Sequence, residues 1–334
     1  MTEPWGLDGP YFDDLAVGHR FVPAPAITID QGMVAAYQAI VGDPLAIALS
    51  QPLAERVTRA PGRFVNPALA LHVAIGQSTV ATRRVIANLF YRGVRLVAPV
   101  RVGSTLHTSV VVRGMRETSR RPDRAPRGMV LLGMRTVDEN GIVVADFERC
   151  ALLPFRDPSA MTDHADEMGG PDPNVLLEDW LEVVPRDWDL TPLRPTTNWR
   201  VGETRVDPLR DTVTDAPALL RMTQNLAAAH RDARLGQRGR RLVYGGHTIG
   251  LAQASVHRLV PSTATVLGWQ YCDHTAPVFE EDVLEASSTL VAEHALPQGR
   301  LLALRVIVHA EREAHADQTE RVAVLDWMPV LYSA

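Results

Sequence analysis

The chain has 334 residues, of which 46% are hydrophobic and 22% are charged, and its formal net charge at pH 7 is -5. This length suits one large unit or about two domains of ordinary size, and the composition is that of a globular protein, which argues against disorder and against a nucleic-acid partner. Two distant cysteines, an acidic amino terminus and the lack of an apolar run of membrane-spanning length predict a cytoplasmic protein without disulfides, thiolate metal sites or membrane segments.

The first half is predicted to contain one buried helix followed by four strands. Residues 68–81, "ALALHVAIGQSTVA", have the length and apolar content of a buried helix. Runs rich in β-branched and aromatic residues follow it at 88–100, 105–115, 129–137 and 142–155. Short turns such as 138–141 join these runs, which favours an antiparallel sheet over βαβ alternation.

A segment rich in Pro, Gly and Asp interrupts the pattern near the middle of the chain. Residues 155–174 show no apolar periodicity, as expected of a connecting segment. We therefore expect an N-terminal unit over 1–157, a linker over 158–190 and a C-terminal unit over 191–334.

The second half repeats the order of the first. A helix is predicted over 247–260, and strands over 265–278, 283–294, 301–310 and 321–332. Three short landmarks return in register: "LAVGHRF" as "WRVGETR", "LHVAIG" as "GHTIGLA", and "APVRVGSTL" as "APVFEEDVL". An internal duplication explains these echoes, so the predicted fold class is α+β, with a central helix wrapped by a curved antiparallel sheet, made twice.

The stretch "TQNLAAAHRDARLGQRGRR", residues 223–241, places His230 among alanines and follows it with arginines. If residues 215–234 formed one regular helix, capped by Asp215 with Pro217 in its first turn, Asn225 and His230 would lie about 140° apart around its axis. They could then share a ligand only if the helix bent or ended. On an unbroken helix, His230 is read more simply as a core histidine with one hydrogen bond.

Several familiar catalytic motifs are absent from the sequence. It contains no P-loop, no GxGxxG opening a helix after a strand, no HExxH and no GxSxG. The eleven histidines show no ligand spacing, and His309 and His315 belong to a charged stretch that reads as a solvated turn. We therefore expect no metal site.

The two halves resemble the MaoC-like hydratases of the hot-dog fold, and their duplication resembles the double hot-dog members. The segment "QNLAAAHRDARLGQRGRRLVYGGHTIGLA", residues 224–252, is similar to the corresponding part of mesaconyl-CoA hydratases, also called β-methylmalyl-CoA dehydratases. The segment "VIANLFYRGVRLVAPVRVGSTL", residues 85–106, is similar to their amino-terminal half. This resemblance implies a double hot-dog fold and the hydration or dehydration of a carbon–carbon double bond next to a coenzyme A thioester.

The resemblance also implies the site residues. His230 matches the family's histidine, Asn225 stands where typical members have an aspartate, and Gly246 matches the glycine whose N–H receives the thioester oxygen. An amide can orient water but cannot take its proton, so proton transfer falls to His230. Gly246, at a helix start, is suited to stabilise an oxyanion, although the Gly245-Gly246 pair also suits a tight turn.

Further residues near this segment are candidates for binding the substrate. Gly245 and His247, on either side of Gly246, are candidates for contact with the thioester; for His247 a structural role as a helix cap is favoured, because a positive imidazolium is disfavoured at a helix start. The arginine run suits coenzyme A phosphates, or else is a solvated basic loop; its members are Arg231, Arg234, Arg238, Arg240 and Arg241. The first half keeps Asp43 but has Ala48 where a histidine would stand, so we expect it to shape the acyl pocket without an active site of its own.

The sequence thus predicts a lyase that hydrates a short or branched enoyl-CoA or dehydrates the hydroxyacyl-CoA. A hot-dog thioesterase and a non-catalytic acyl-CoA binder remain as alternatives. We expect no separate cofactor, because coenzyme A enters as part of the substrate, and no partner besides that thioester. A homodimer is compatible with the duplicated plan but is not required by it.

Overall fold

Alternating burial along long strands, and two helices with almost no exposed residue, define the architecture. The computed structural model describes residues 3–194, 198–313 and 319–334. The first half contains β1 (Ile27–Thr28), α1 (Gln31–Val41), α2 (Ala46–Leu49), α3 (Gln51–Thr58), α4 (Pro67–Gln77), β2 (Ala87–Leu96), β3 (Thr105–Glu117), β4 (Arg127–Val137) and β5 (Val143–Pro154). The second contains β6 (Thr204–Val206), β7 (Asp211–Thr212), α5 (Ala216–Met222), α6 (Gly245–Leu259), β8 (Thr263–His274), β9 (Val283–Ala295), β10 (Arg300–Glu313) and β11 (Thr319–Ser333).

The strands form one antiparallel sheet that runs through both halves. Its order is β1-β3-β4-β5-β2-β8-β11-β10-β9-β6, with β7 also paired to β9. The halves meet where β2 pairs with β8, for example Tyr91 with Cys272. Since the order β3-β4-β5-β2 returns in mirror image as β8-β11-β10-β9, the predicted duplication is confirmed at the level of topology.

Helices α4 and α6 are the two central helices predicted from the sequence. Every residue of α4 is buried, and Asn66 caps it by accepting a hydrogen bond from Ala68 N–H. Residues 246–257 of α6 are buried as well. Each helix is enclosed by the sheet of its own half, so the predicted α+β double hot-dog fold is confirmed.

The linker is irregular at its start and packed at its end. Residues 166–174 contain no helix or strand, whereas Leu177–Val183 form a 3-10 helix whose Trp180 is fully buried. The guanidinium of Arg95 lies 3.4 Å from the centre of the Trp180 ring. Trp188 meets the ring of Phe64 edge-on at 5.8 Å. The end of the linker therefore belongs to the hydrophobic core.

Some features expected from the sequence fall outside this description. His315 lies outside the described residues, while His309 is described as part of β10.

Both cysteines, Cys150 and Cys272, are buried and unpaired with each other. Within the described ranges, every helix is too short or too polar to span a bilayer.

Candidate active site

A cavity of about 260 Å³ lies between the two halves, beside the start of α6. The first half contributes residues from α4, β2 and β5 to its wall, and the second contributes residues 225–245 and 274–278. His230, Asn225 and Gly245 all line it, so the structure brings together three of the residues predicted from the sequence. The lining includes no aspartate or glutamate. The cavity wall can therefore accommodate both apolar groups and a negatively charged group of a ligand.

The helix that precedes His230 ends before it, which is the condition under which Asn225 and His230 can share a ligand. Helix α5 stops at Met222, and Gln224 has a left-handed φ of 58°. Its N–H bonds to Arg221 O, and the N–H of Asn225 bonds to Leu220 O, which together make a Schellman end. The chain turns there, and His230 follows in a separate 3-10 turn over Ala228–His230. Asn225 and His230 can thus reach one cavity.

His230 presents one free ring nitrogen. Its Nδ1 lies 2.9 Å from the carbonyl oxygen of Leu242. Because a carbonyl can only accept, Nδ1 carries the proton and Nε2 keeps a lone pair. Burial lowers the pKa of His230 to about 4, against a smaller raising effect of the bond to Leu242, and the charge of Arg149 lowers it further. The imidazole is therefore neutral near pH 7, with Nε2 available as a base.

Asn225 is held in place by its own neighbours. It is almost fully buried, and its Oδ1 accepts a hydrogen bond of 3.0 Å from Ala227 N–H. The guanidinium of Arg231 donates to the main-chain oxygen of Asn225, at 2.6 Å from Nη2. The amide N–H₂ and the second lone pair of the amide oxygen are left for a ligand. Asn225 can therefore donate a hydrogen bond to water or to a hydroxyl group, but it cannot take a proton.

The two glycines at the start of α6 differ in position. Gly245 lines the cavity, whereas Gly246 is buried behind it against the ring of Tyr244. Among the described residues, neither backbone N–H has a hydrogen-bond acceptor. A helix start with free N–H groups favours negative charge. The structure thus offers Gly245 as the nearer donor, and the assignment of Gly246 stays a prediction.

Arg149 is a buried cation that the sequence analysis did not single out. It lies in the cavity wall on β5, is 3% exposed, and has no carboxylate within ion-pair distance in the described part of the chain. Its Nη2 donates to Thr82 Oγ1 at 2.8 Å and to Ser78 O at 3.2 Å. Its Nε and the neighbouring Asn88 Nδ2 are buried without any partner. Burial lowers the pKa of Arg149, yet a guanidinium stays charged.

The sequence did contain a signal for Arg149. Phe147, Arg149 and Ala151 alternate on the buried face of β5. A charged residue at such a position has to be paired, or has to serve a ligand. His274, the last residue of β8, is a second cavity residue that the sequence analysis passed over.

The arginine run lies on the surface near the cavity and not in its wall. Arg238 pairs with Glu320 at 3.0 Å, and Arg241 pairs with Glu280 at 2.5 Å. Arg240 donates to the carbonyl oxygen of Glu280 and stacks over Phe279. Gln237, directly before Arg238, lines the cavity. The run therefore borders the cavity, and Arg238 and Arg241 have acidic partners while Arg240 bonds to the main chain.

His247 is not brought to the cavity. It is fully buried within α6, and neither of its ring nitrogens has a hydrogen-bond partner. Burial lowers its pKa to about 4, and the pKa of the nearby buried His72 to about 3. His247 does not reach the cavity because a side chain at the third residue of α6 points away from Gly245, into the space between the two central helices. A contact between His247 and substrate is therefore not supported by the geometry.

The equivalent place in the first half is filled by the protein itself. Asp43 accepts hydrogen bonds from Asn66 and from Gln253, each at 2.8 Å, and His257 Nδ1 lies 2.6 Å from its other oxygen. The small apolar pocket nearby is lined by Pro67 and by Trp188 of the linker. Asp43 thus joins the halves inside the core, and the end of the linker covers this pocket.

The comparisons with known proteins agree with this architecture. No family model matches the chain. Among solved structures, it is similar to Rv0216 of Mycobacterium tuberculosis, described as a double hot-dog fold, with 41% identity, a TM-score of 0.87, and coverage of 98% of this chain and 99% of that one. A MaoC domain dehydratase of Chloroflexus aurantiacus is 26% identical, with a TM-score of 0.78 and 99% of each chain covered.

Two characterised relatives are similar along most of the sequence. The β-methylmalyl-CoA dehydratase of Chloroflexus aurantiacus is 28% identical over 334 residues, which span 92% of this chain and 90% of that protein. The mesaconyl-CoA hydratase of Cereibacter sphaeroides is 29% identical over 315 residues, which span 90% of this chain and 89% of that protein.

Proposed function

Because the chain belongs to the MaoC-like double hot-dog family, we propose that it is a hydro-lyase, which adds water to a short or branched enoyl-CoA thioester or removes water from the hydroxyacyl-CoA. One observation carries the proposal: a neutral histidine whose Nε2 has no described partner, His230, and a glycine at a helix start whose N–H has no described acceptor, Gly245, line the same cavity. Relatives named as a hydratase and as a dehydratase support it.

In the hydration direction, His230 acts as the base. Its Nε2 takes a proton from water while the water oxygen bonds to the β-carbon of the enoyl group. The π electrons move toward the thioester, and negative charge collects on its oxygen. The N–H of Gly245, at the positive end of α6, stabilises that charge. His230 then returns the proton to the α-carbon, so one water supplies both the hydroxyl group and the hydrogen.

Asn225 positions the water for this step. Its amide N–H₂ donates to the water oxygen and leaves one water hydrogen free to face His230. Typical members of the family have a carboxylate here, which shares the proton transfer. In this chain an amide stands there, held by the bond from Ala227 N–H, so Asn225 orients the water and His230 alone moves the proton.

Arg149 and Asn88 select the acyl group. The unpartnered Nε of Arg149 and the unpartnered Nδ2 of Asn88 are two donors without acceptors in the cavity wall. A buried guanidinium without a carboxylate is stabilised when a ligand brings one. Mesaconyl and β-methylmalyl groups each carry a free carboxylate besides the thioester. The proposed substrate is therefore an enoyl-CoA with a short, carboxylate-bearing acyl group.

The arginine run receives the phosphates of coenzyme A. Arg238, Arg240 and Arg241 lie beside Gln237, at the border of the cavity. The ion pairs of Arg238 and Arg241 are partly exposed, and such a pair contributes only about 0–1 kcal/mol and is readily exchanged for a phosphate. Arg231 is the exception, because it is bound to the main chain at Asn225 and supports the loop.

An assay with two substrates and two readouts tests the proposal. The purified protein is mixed with mesaconyl-CoA or crotonyl-CoA, and the absorbance of the enoyl thioester and the release of free thiol are followed together. Loss of absorbance without free thiol is the expected result. Free thiol in step with the loss would identify a thioesterase, and binding without either change would identify an acyl-CoA binder.

A further inference from the structure

The mechanism above gives no role to His274, a titratable side chain of the cavity wall. His274 ends β8 and lines the cavity together with His230 and Gly245. Its ring forms no hydrogen bond to any described residue, and its Nε2 is buried without a partner. A buried imidazole that goes unpaired loses the hydrogen bonds it would make to water. The position is therefore costly unless a ligand supplies the missing partner.

The ring of His274 is seated against the start of α6. A Cβ added to Gly245 would lie 2.6 Å from its Cε1 and 2.7 Å from its Nε2. Contacts this short mean that only glycine leaves room for the imidazole here. The edge of the imidazole thus lies directly beside the backbone of Gly245, the first residue of α6. On the other side, the ring of Tyr91 meets His274 edge-on, with the ring centres 6.0 Å apart.

The charge state of His274 suits a hydrogen-bond donor. Burial lowers its pKa to about 4, and the neighbouring His230 lowers it further. Near pH 7 the ring is neutral and carries one N–H. A neutral imidazole is a poor acid, so it does not protonate the α-carbon, but it can polarise a carbonyl by donating a hydrogen bond.

We propose that the N–H of His274 donates a hydrogen bond to the thioester oxygen of the substrate, as a second donor beside the N–H of Gly245. This inference rests on the proposed function, since it assigns the thioester to the start of α6. Two preorganised donors stabilise the charge that develops on this oxygen better than one. The glycine at 245 then has two purposes: it exposes its own N–H, and it makes space for the imidazole.

The test compares a thioester with a thioether. Butyryl-CoA keeps the carbonyl oxygen but has no double bond to hydrate, and S-butyl-CoA lacks the oxygen. Their dissociation constants are measured by calorimetry for the wild type and for His274→Leu, His274→Gln and the control His309→Gln, a partly exposed histidine on β10. The wild type and the control should prefer butyryl-CoA. The preference should fall about 3- to 10-fold in His274→Leu and less in His274→Gln, whose amide retains a donor.

A spectroscopic readout separates this role from a structural one. With butyryl-CoA labelled with ¹³C at the carbonyl, infrared difference spectra should show a lowered carbonyl stretching frequency in the wild type, and the lowering should be partly lost in His274→Leu. Hydration of crotonyl-CoA should slow about 10²- to 10³-fold in the same variant, as for other lost oxyanion donors.

The possible outcomes distinguish the two proposals. An unchanged carbonyl frequency and unchanged preference in His274→Leu would overturn the inference while leaving the hydro-lyase in place. Equal loss of hydration in His274→Leu and His274→Gln, with the thioester preference intact, would also overturn it and would make His274 a proton carrier. Failure of the wild type both to bind butyryl-CoA and to hydrate mesaconyl-CoA would contradict both proposals.

Discussion

At the scale of single residues, the chemistry depends on how His230 is held. The carbonyl of Leu242 fixes its tautomer, and burial keeps the ring neutral. These two effects prepare Nε2 as a base without any aspartate. In the proposed mechanism, a base that is already neutral and oriented does not need a carboxylate partner to orient it, which is compatible with an amide at Asn225.

The lowered pKa of His230 predicts an unusual pH profile. Activity in hydration requires the unprotonated ring, so kcat/KM for crotonyl-CoA should stay level from roughly pH 8 down to roughly pH 5.5. It should then fall with a midpoint near pH 4, since burial lowers the pKa to about 4. Circular dichroism at each pH controls for unfolding. A midpoint at the ordinary histidine value of about 6.5 would contradict this description of His230.

Arg149 should control the choice of acyl group. Replacing it in Arg149→Leu should lower kcat/KM for mesaconyl-CoA about 10- to 100-fold relative to that for crotonyl-CoA, because a hydrogen bond to a charged group contributes about 1.5–3 kcal/mol. Arg149→Lys should retain part of the preference. Arg135→Leu, which removes an exposed arginine of β4, is the matched control. An equal loss for both substrates would show that Arg149 only supports the wall.

The sequence located part of this site but not all of it. Asn225, His230 and Gly245 were identified because they stand in one continuous segment that resembles a family. Arg149 and His274 were not, because each is distant in the sequence and becomes a neighbour only through the pairing of strands. The pairing of β2 with β5 and with β8 brings Arg149 and His274 to one wall. Such proximity leaves no local pattern to read.

At the scale of elements, the contact between α4 and the end of α5 positions residues 225–230, the segment that holds the proposed base. A Cβ on Gly76 would lie 1.7 Å from the carbonyl oxygen of Thr223. The backbone of α4 at Gly76 therefore packs directly against the backbone of the turn that precedes Asn225, with no side chain between them. Leu226 N–H also donates to Thr79 Oγ1 at 2.8 Å, just beyond α4. The first half thus supports the reactive loop of the second.

Gly76→Ala should reveal this support. The added methyl group cannot fit without moving Thr223, so we expect the free energy of unfolding to fall by roughly 1–3 kcal/mol and hydration to slow because Asn225 shifts. Gly170→Ala is the control, since its added Cβ would meet nothing within 4 Å. Urea unfolding and the crotonyl-CoA assay measure the two effects. Unchanged activity in Gly76→Ala would show that α4 does not position the loop.

The elements themselves were largely predictable from the sequence. The buried helices and the eight long strands follow from apolar runs and β-rich composition, and the structure confirms them. The sequence predicted only that the helix before His230 has to bend or end if Asn225 and His230 share a ligand. It did not show where α5 ends, because Gln224 adopts the left-handed conformation without being glycine. The packed end of the linker was not foreseen, since Trp180 and Trp188 stand among acidic residues and find their apolar partners only in the folded chain.

At the scale of the whole molecule, the duplicated plan provides one site from two halves. The sheet is continuous through β2 and β8, and the cavity takes its wall from both sides of that seam. The corresponding pocket of the first half is covered by the linker. The first half thus contributes Arg149 and Asn88 to the cavity wall, while the second contributes His230 and Gly245.

Buried neutral histidines should make the whole protein sensitive to acid. Burial lowers the pKa of His72 to about 3, and those of His247 and His274 to about 4. Below about pH 6.5 the unfolded chain binds protons that the folded chain cannot, so stability falls as the pH decreases toward these values. Between pH 7 and pH 5, each such histidine lowers the free energy of unfolding by about 2 kcal/mol.

The variant His72→Leu tests this effect. The decrease in the thermal midpoint between pH 7 and pH 5 should be smaller in His72→Leu than in the wild type, because one proton-binding difference is removed. His107→Gln, on a partly exposed position of β3, should behave like the wild type. The same decrease in all three proteins would contradict the assignment of acid sensitivity to the buried ring.

The most direct test of the account is the hydration of mesaconyl-CoA by His230→Ala, with His309→Gln as the matched control. We expect the control to keep wild-type activity, and His230→Ala to fold normally but to lose about 10²- to 10⁴-fold in kcat, as when a general base is removed. If His230→Ala retained most of the wild-type rate, His230 would not be the base and the proposed mechanism would be wrong.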